Sequence, residues 1–297
     1  MTAPRQVLPG TTYLVTRRCL ARQLFLRPSR TVNQVLLYLL AVAAERYGVL
    51  LHAFCVLSNH YHLVVTDPDG RLPAFQQFLD ALAARALNAH LGRWETLWAP
   101  DSYSAVVLPS PADVVAKAAY VLANPVDAGL VAAGSAWPGL WSAPERVAGE
   151  PFRVKRPEHF FAPDGAMPEE ATLRLTTPPG FHSAERFRAE LAQALAEREE
   201  KARTLRRGRG GFLGVARVLA QKATARPRGG EPRRNLNPRL AGRDKWKRIE
   251  AIGRLLEFLA SYRDALARRR QGQSHVVFPS GTYLLRVLHG VPCAGAG

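Results

Sequence analysis

Three observations place this chain in the α+β class. Within its first 110 residues, β-forming runs and long amphipathic runs follow one another in the order β-α-β-β-α-β. Turn signals separate the runs. The remainder is basic, mainly helical in pattern and in places irregular. This order is that of the ferredoxin-like split βαβ arrangement, a sheet that carries helices on one face and leaves the other for ligands.

The first strand is Gly10–Cys19, rich in Thr and ending in Arg17 and Arg18. Val35, Leu36, Leu39, Leu40 and Ala43 recur at helical spacing over Thr31–Tyr47. Thr31 is the expected cap, and Gly48 ends the helix. Val49–Leu57 and His60–Thr66 read as strands joined by a tight turn at Ser58-Asn59, so the second returns antiparallel. Asp67-Pro68-Asp69-Gly70 is a turn signal. Leu72–Leu91 is a second amphipathic helix stopped by Gly92, and Tyr103–Leu108 a fourth strand.

A third helix opens at Ser110-Pro111-Ala112-Asp113, a cap sequence. It is expected to end near Asn124, because proline disfavours helical geometry in the residue before it. Lys117, Tyr120 and Asn124 form a polar stripe on this otherwise apolar helix. Each alone has an ordinary reading: a solvated charge, a half-buried aromatic, a helix-stop residue.

Beyond Gly129 the pattern changes. The sequence divides into residues 1–135, an irregular connector at 136–182 that is rich in Pro, Gly and Trp, and a basic, mainly helical region at 183–297. In the last region helices are expected over 183–207, 212–221 and 246–270, and an Arg-, Pro- and Gly-rich loop over 224–245.

The formal net charge is +17. Residues 1–150 carry 12 Lys and Arg against 10 Asp and Glu, whereas residues 151–297 carry 29 against 14. An excess of this size and placement points to a polyanionic partner, most often nucleic acid. Cys19, Cys55 and Cys293 are too far apart for a disulfide framework or a cysteine-held metal. No apolar run approaches the ~18 residues of a membrane span, and the N-terminus lacks the apolar core of a signal peptide. The expectation is a cytoplasmic protein with no membrane partner.

The chemistry centres on His60 and His62. Strand residues two apart share a face, so both imidazoles project together while Tyr61 faces away. Imidazole is a common metal ligand, but such a pair on a strand is more often packed or solvent-edge histidines. It needs partners from elsewhere in the chain.

Asn59-His60-Tyr61-His62, with Tyr120-Val-Leu-Ala-Asn124-Pro125 and Ala128-Gly129-Leu130 downstream, resembles the motifs of the single-tyrosine HUH transposases, and among them the REP-associated tyrosine transposases. The resemblance covers roughly residues 8–135 and includes the element order. It implies that His60 and His62 hold a divalent ion, Mg or Mn, with Asn124 completing the set, and that Tyr120 is the nucleophile. The implied reaction is metal-dependent cleavage and rejoining of single-stranded DNA through a 5′-phosphotyrosine. The implied substrate has hairpin or palindromic ends, and a homodimer is among the expected assemblies. Lys117, Arg17 and Arg18 are candidates for phosphate contact on charge alone. Two other readings stay open: a non-catalytic nucleic-acid-binding module, and a phosphodiesterase in which water attacks.

Overall fold

The computed structural model of the chain describes residues 4–100, 103–208, 210–227, 229 and 238–295. Part of the 224–245 stretch expected to be a loop therefore lies outside the described residues. The elements are β1 (Thr11–Arg18), α1 (Arg30–Tyr47), β2 (Leu50–Leu57), β3 (His60–Asp67), α2 (Leu72–His90), β4 (Ser104–Val107), α3 (Pro111–Asp127), β5 (Phe152–Lys155), β6 (Glu170–Leu173), α4 (Ala184–Arg206), α5 (Val215–Ala220), α6 (Lys245–Arg270) and α7 (Leu284–His289). The first six follow the order read from the sequence.

The four strands pair antiparallel in the order β2-β3-β1-β4. β1 and β2, joined through α1, therefore run parallel with β3 between them. On the face that carries Tyr61, the Tyr61 hydroxyl donates to Asp80 of α2 (2.5 Å) and accepts from Gln76 (2.7 Å). α1 packs on α2, and α3 packs across β2 and β3. A helix thus occupies part of the face that the fold class was expected to leave open.

Helix boundaries show where local chemistry won. Ser29, not Thr31, caps α1: its Oγ accepts from Val32 N (3.1 Å), while Thr31 lies inside the first turn. Asp67 caps the start of α2 from upstream, accepting from Arg71 N (2.8 Å) and Leu72 N (2.7 Å). Ser110 and Asp113 form the expected cap of α3, with Asp113 N donating to Ser110 Oγ (3.3 Å) and the Ser110 hydroxyl to Asp113 Oδ2 (2.5 Å).

α3 does not stop at Asn124 but runs through Pro125 to Asp127. Proline there removes only one backbone donor, in the last turn. The helix then closes on Gly129 at φ 73°, with Gly129 N bonded to Val126 O and Leu130 N to Pro125 O (both 2.9 Å). This is the double hydrogen bond of a Schellman cap. The Pro-x-x-Ala-Gly-Leu run is thus a helix terminator in physical terms.

The stretch expected to be an irregular connector carries the β5–β6 pair. It also covers an edge of the main sheet: Val56 N bonds to Leu140 O (2.9 Å) and Ser142 N to Phe54 O (3.0 Å). The opposite edge, β4, is covered by residues 239–241, where Val107 N bonds to Arg239 O (2.9 Å) and Ala241 N to Val107 O (3.0 Å). Covered edges do not recruit other chains. One apolar core runs from Tyr13, Val15 and Phe54 through Trp137, Val147 and Leu173 to Phe187, Leu191 and Leu195 of α4. A second, small core holds Ala265, Val276, Phe278 and Val291. Among the described residues no helix is long and apolar enough to cross a membrane.

Candidate active site

The strand register sets the site. His62 lies opposite Thr16 of β1 and Cys55 of β2, and His60 opposite Arg18 and Leu57. Directly opposed residues share a face, so Thr16, Arg18, His60 and His62 project together. The two imidazole ring centres are 4.7 Å apart, nearly perpendicular at 86°.

Hydrogen bonds orient both rings. Asn59 Nδ2 donates to the Arg22 carbonyl (3.2 Å), which turns Asn59 Oδ1 toward His60 Nδ1 (2.6 Å). A carbonyl oxygen only accepts, so Nδ1 donates; in the neutral ring the lone pair is then on Nε2. His62 Nδ1 lies 2.7 Å from Thr16 Oγ1. The Thr16 hydroxyl can donate or accept; in the tautomer where Nδ1–H donates, the His62 Nε2 carries a lone pair. That Nε2 is buried without a hydrogen-bond partner. Burial first, then His60 and Arg18, hold the His62 proton affinity well below the ordinary imidazole value, so the ring stays neutral.

α3 brings Tyr120 to the pair. Its ring centre lies 5.3 Å from that of His62, at 69°. The polar stripe comes with it: Lys117 Nζ is 5.7 Å from the Tyr120 ring centre, and Asn124, 8% exposed, lies one turn further along. Burial is the main cause that lowers the Lys117 ammonium pKa, followed by Arg198; Asp113 opposes both.

The other candidates separate. Arg18 is exposed on the histidine face. Arg17 points the other way, to Asp80 of α2 (Nε to Oδ2, 3.3 Å), with its guanidinium 5.5 Å from the Trp98 ring centre. Tyr61 shares that side, and its hydroxyl is held by Asp80. Tyr103, just before β4, is buried under the Arg5 guanidinium, 4.1 Å from its ring centre. Burial pushes its phenol up to about 12.

Sequence reasoning missed Arg198. This α4 residue stands 5.0 Å from the Tyr120 ring centre and forms an ion pair with Asp127 at the end of α3. It is one of many arginines on a charged helix, and no local pattern marks it out.

Among the described residues no group of three or more His, Cys, Asp or Glu side chains is placed to hold a metal ion. The donor set on offer is two imidazole nitrogens from β3 and, one turn beyond Tyr120, the amide of Asn124.

No family model matches the chain, and no curated protein does. Solved structures similar to it include two transposase structures. One is a REP-associated tyrosine transposase bound to a REP hairpin, at 20% identity and a TM-score of 0.40, covering 47% of this chain and 81% of that one. The other is a "putative transposase" from Deinococcus radiodurans R1, at 25% identity and a TM-score of 0.29, covering 36% of this chain and 85% of that one. With both TM-scores below 0.5, the functional reading rests on the residues of the site.

Proposed function

We propose that the chain is a single-tyrosine HUH-type enzyme that cleaves and rejoins single-stranded DNA, with its β-α-β-β-α-β unit as the ferredoxin-like HUH domain at residues 1–135. Residues 136–182 would then be a connector and 183–297 a basic accessory region, whose α4 joins the core of that unit. The observation that carries this reading is the ring contact between Tyr120 and His62 on the face that both histidines share. It joins two motifs about sixty residues apart. All three residues belong to one chain, so the site needs no second copy.

Tyr120 is half-exposed, accessible to a strand laid across the histidines. Its phenolic oxygen supplies the electron pair for a new O–P bond. The P–O3′ bond breaks with its pair going to O3′, which takes up a proton as the phenol loses one. The products are a 5′-phosphotyrosine and a free 3′-hydroxyl, and the reverse reaction reseals a strand without ATP. Lys117, with its Nζ 5.7 Å from the Tyr120 ring centre, is a candidate for phosphate contact. Arg18, across from His60, is a candidate for backbone contact. Net charge supports a polyanionic substrate, and hairpin or palindromic ends follow from the motif resemblance.

The reading implies a divalent ion, Mg or Mn, and the residues fit one. His60 and His62 each have Nδ1 engaged, and the buried Nε2 of His62 has no hydrogen-bond partner. This is the arrangement of a metal-ligating histidine, with the second nitrogen oriented by a neighbour. The amide oxygen of Asn124 would add a hard donor. When bound, the ion supplies Lewis acidity at the phosphodiester.

The test incubates the protein with single-stranded DNA and Mn or Mg and looks for an adduct that survives SDS. Native protein forms it; Tyr120→Phe, which keeps the ring, does not, and neither does protein in EDTA. Cleavage without an adduct would mean that water attacks. No cleavage at all would leave a binding module. An adduct in the Tyr120→Phe variant would overturn the assignment.

A further inference from the structure

α4 is built to hold one position on α3. Its buried stripe of Phe187, Leu191 and Leu195 joins the main core. Glu199, 9% exposed, accepts from Gly134 N (2.7 Å) in the turn after α3. Arg203 Nη1 donates to Ala132 O (3.1 Å), and Arg206 Nη2 to Asp127 O (2.8 Å). A helix fixed at its apolar stripe and at three polar points is a rigid platform.

On that platform, Arg198 uses Nε (2.9 Å) and Nη2 (2.8 Å) on a single oxygen, Asp127 Oδ2. Asp127 is two turns beyond Tyr120 on α3, so the guanidinium spans from one to the other and lies 5.0 Å from the Tyr120 ring centre. Lys117, one turn before Tyr120, is 5.7 Å from the same ring. Two cations therefore lie beside one tyrosine ring, and they repel each other. Asp127 pairs with Arg198, and Asp113 partly offsets the Lys117 charge. An anion between the two cations would relieve the repulsion, and the planar guanidinium fork still presents its Nη1 end to a second acceptor.

We propose that Arg198 is a phosphate-contact residue of the tyrosine site, so that α4 and Lys117 together bracket the scissile phosphodiester over Tyr120. The inference rests on the tyrosine reading above and adds to it a residue from the region outside the HUH unit. During attack the non-bridging oxygens gain negative charge, and a guanidinium held by Asp127 meets it without reorganising. The same contact holds the ground-state strand, so it contributes to binding as well as to rate.

Two measurements on the full chain test this. The first is binding of a fluorescein-labelled single-stranded oligonucleotide of mixed sequence, in EDTA, over a range of salt concentrations. Each phosphate contact contributes about 0.7 to the slope of log affinity against log salt on a single strand. Arg198→Ala and Arg198→Gln should each lower the slope by about 0.7, and Arg198→Lys should keep it. The second is the rate of SDS-resistant adduct formation, which should fall about 100-fold in Arg198→Ala. In Arg198→Lys it should fall while the binding slope is retained, because a point charge lacks the fork. An unchanged slope in both Arg198→Ala and Arg198→Gln overturns the proposal, even if their melting temperatures drop, since that is the signature of packing alone. A slope change in a protein whose native form makes no adduct would sink the tyrosine reading and leave Arg198 as a phosphate contact.

Discussion

Asn59 is the residue whose replacement should test the proposed metal site most directly. Its side chain performs two tasks, donating to the Arg22 carbonyl (3.2 Å) and accepting from His60 Nδ1 (2.6 Å). The first task matters because Ala21 and Arg22 both have positive φ, 48° and 59°, a turn conformation that costs free energy and needs support. The second makes Nδ1 the protonated nitrogen of a neutral His60 ring. Asn59→Ala removes both bonds. Each typical hydrogen bond contributes about 0.5–1.5 kcal/mol net, so the fold should lose roughly 1–3 kcal/mol. Losing the partner of a ligating histidine typically costs 10–100-fold in metal affinity, equivalent to about 1.4–2.7 kcal/mol. Asn59→Asp keeps an acceptor for His60, removes the donor to Arg22 and adds a negative charge. Calorimetric titration with Mn should therefore show 10–100-fold weaker binding for Asn59→Ala and binding no weaker than native for Asn59→Asp, with both variants less stable in urea. Native-strength Mn binding by Asn59→Ala would refute the tautomer argument.

Other outcomes follow from the same structure. Gly129→Ala places a Cβ at φ 73° and against the Arg206 guanidinium; denaturant unfolding should register a loss of about 1–2 kcal/mol, and a neutral result would mean that the α3 terminator tolerates a side chain. His52 is buried between Thr66 Oγ1 and the Thr176 carbonyl (both 2.8 Å), and burial lowers its pKa to about 4. Between that value and the ordinary ~6.5, the unfolded chain binds a proton that the folded chain excludes. Stability carried by neutral His52 is therefore present above 6.5 and is lost as pH falls to about 4, by about 3 kcal/mol at most. Burial of Asp80 raises its pKa to about 6 and tilts the profile the opposite way below that pH. The measurement is therefore the difference in unfolding free energy between native protein and His52→Gln across pH 4–7, and a pH-independent difference would contradict it. Removing the charges of Arg268, Arg269 and Arg270 at the end of α6 should make the salt dependence of single-strand binding shallower if that terminus meets DNA. An unchanged slope would assign those charges to solvent. Truncation at residue 149 is a poorer test, because it removes Phe187, Leu191 and Leu195 from the main core.

The sequence by itself determined the order and extent of the first six elements, since period-two and helical patterns are local and turn residues punctuate them. It also determined that His60 and His62 share a face with Tyr61 turned away, because alternation follows from strand geometry alone. It brought Lys117, Tyr120 and Asn124 onto one stripe, because helical spacing does the same. Locally, it misplaced the cap of α1 and the end of α3, where side-chain hydrogen bonds and the Gly129 terminator outweighed the simpler signals. Only the tertiary structure decided that the helix stripe meets the strand pair, that Arg17 belongs to Asp80 while Arg18 shares the histidine face, and that residues 140–142 and 239–241 cover the sheet edges. Those edge pairings use backbone groups, which every residue carries and no pattern announces. Arg198 is the clearest case: its place beside Tyr120 depends on how α4 docks, and docking is set by an apolar core assembled from residues more than a hundred positions apart.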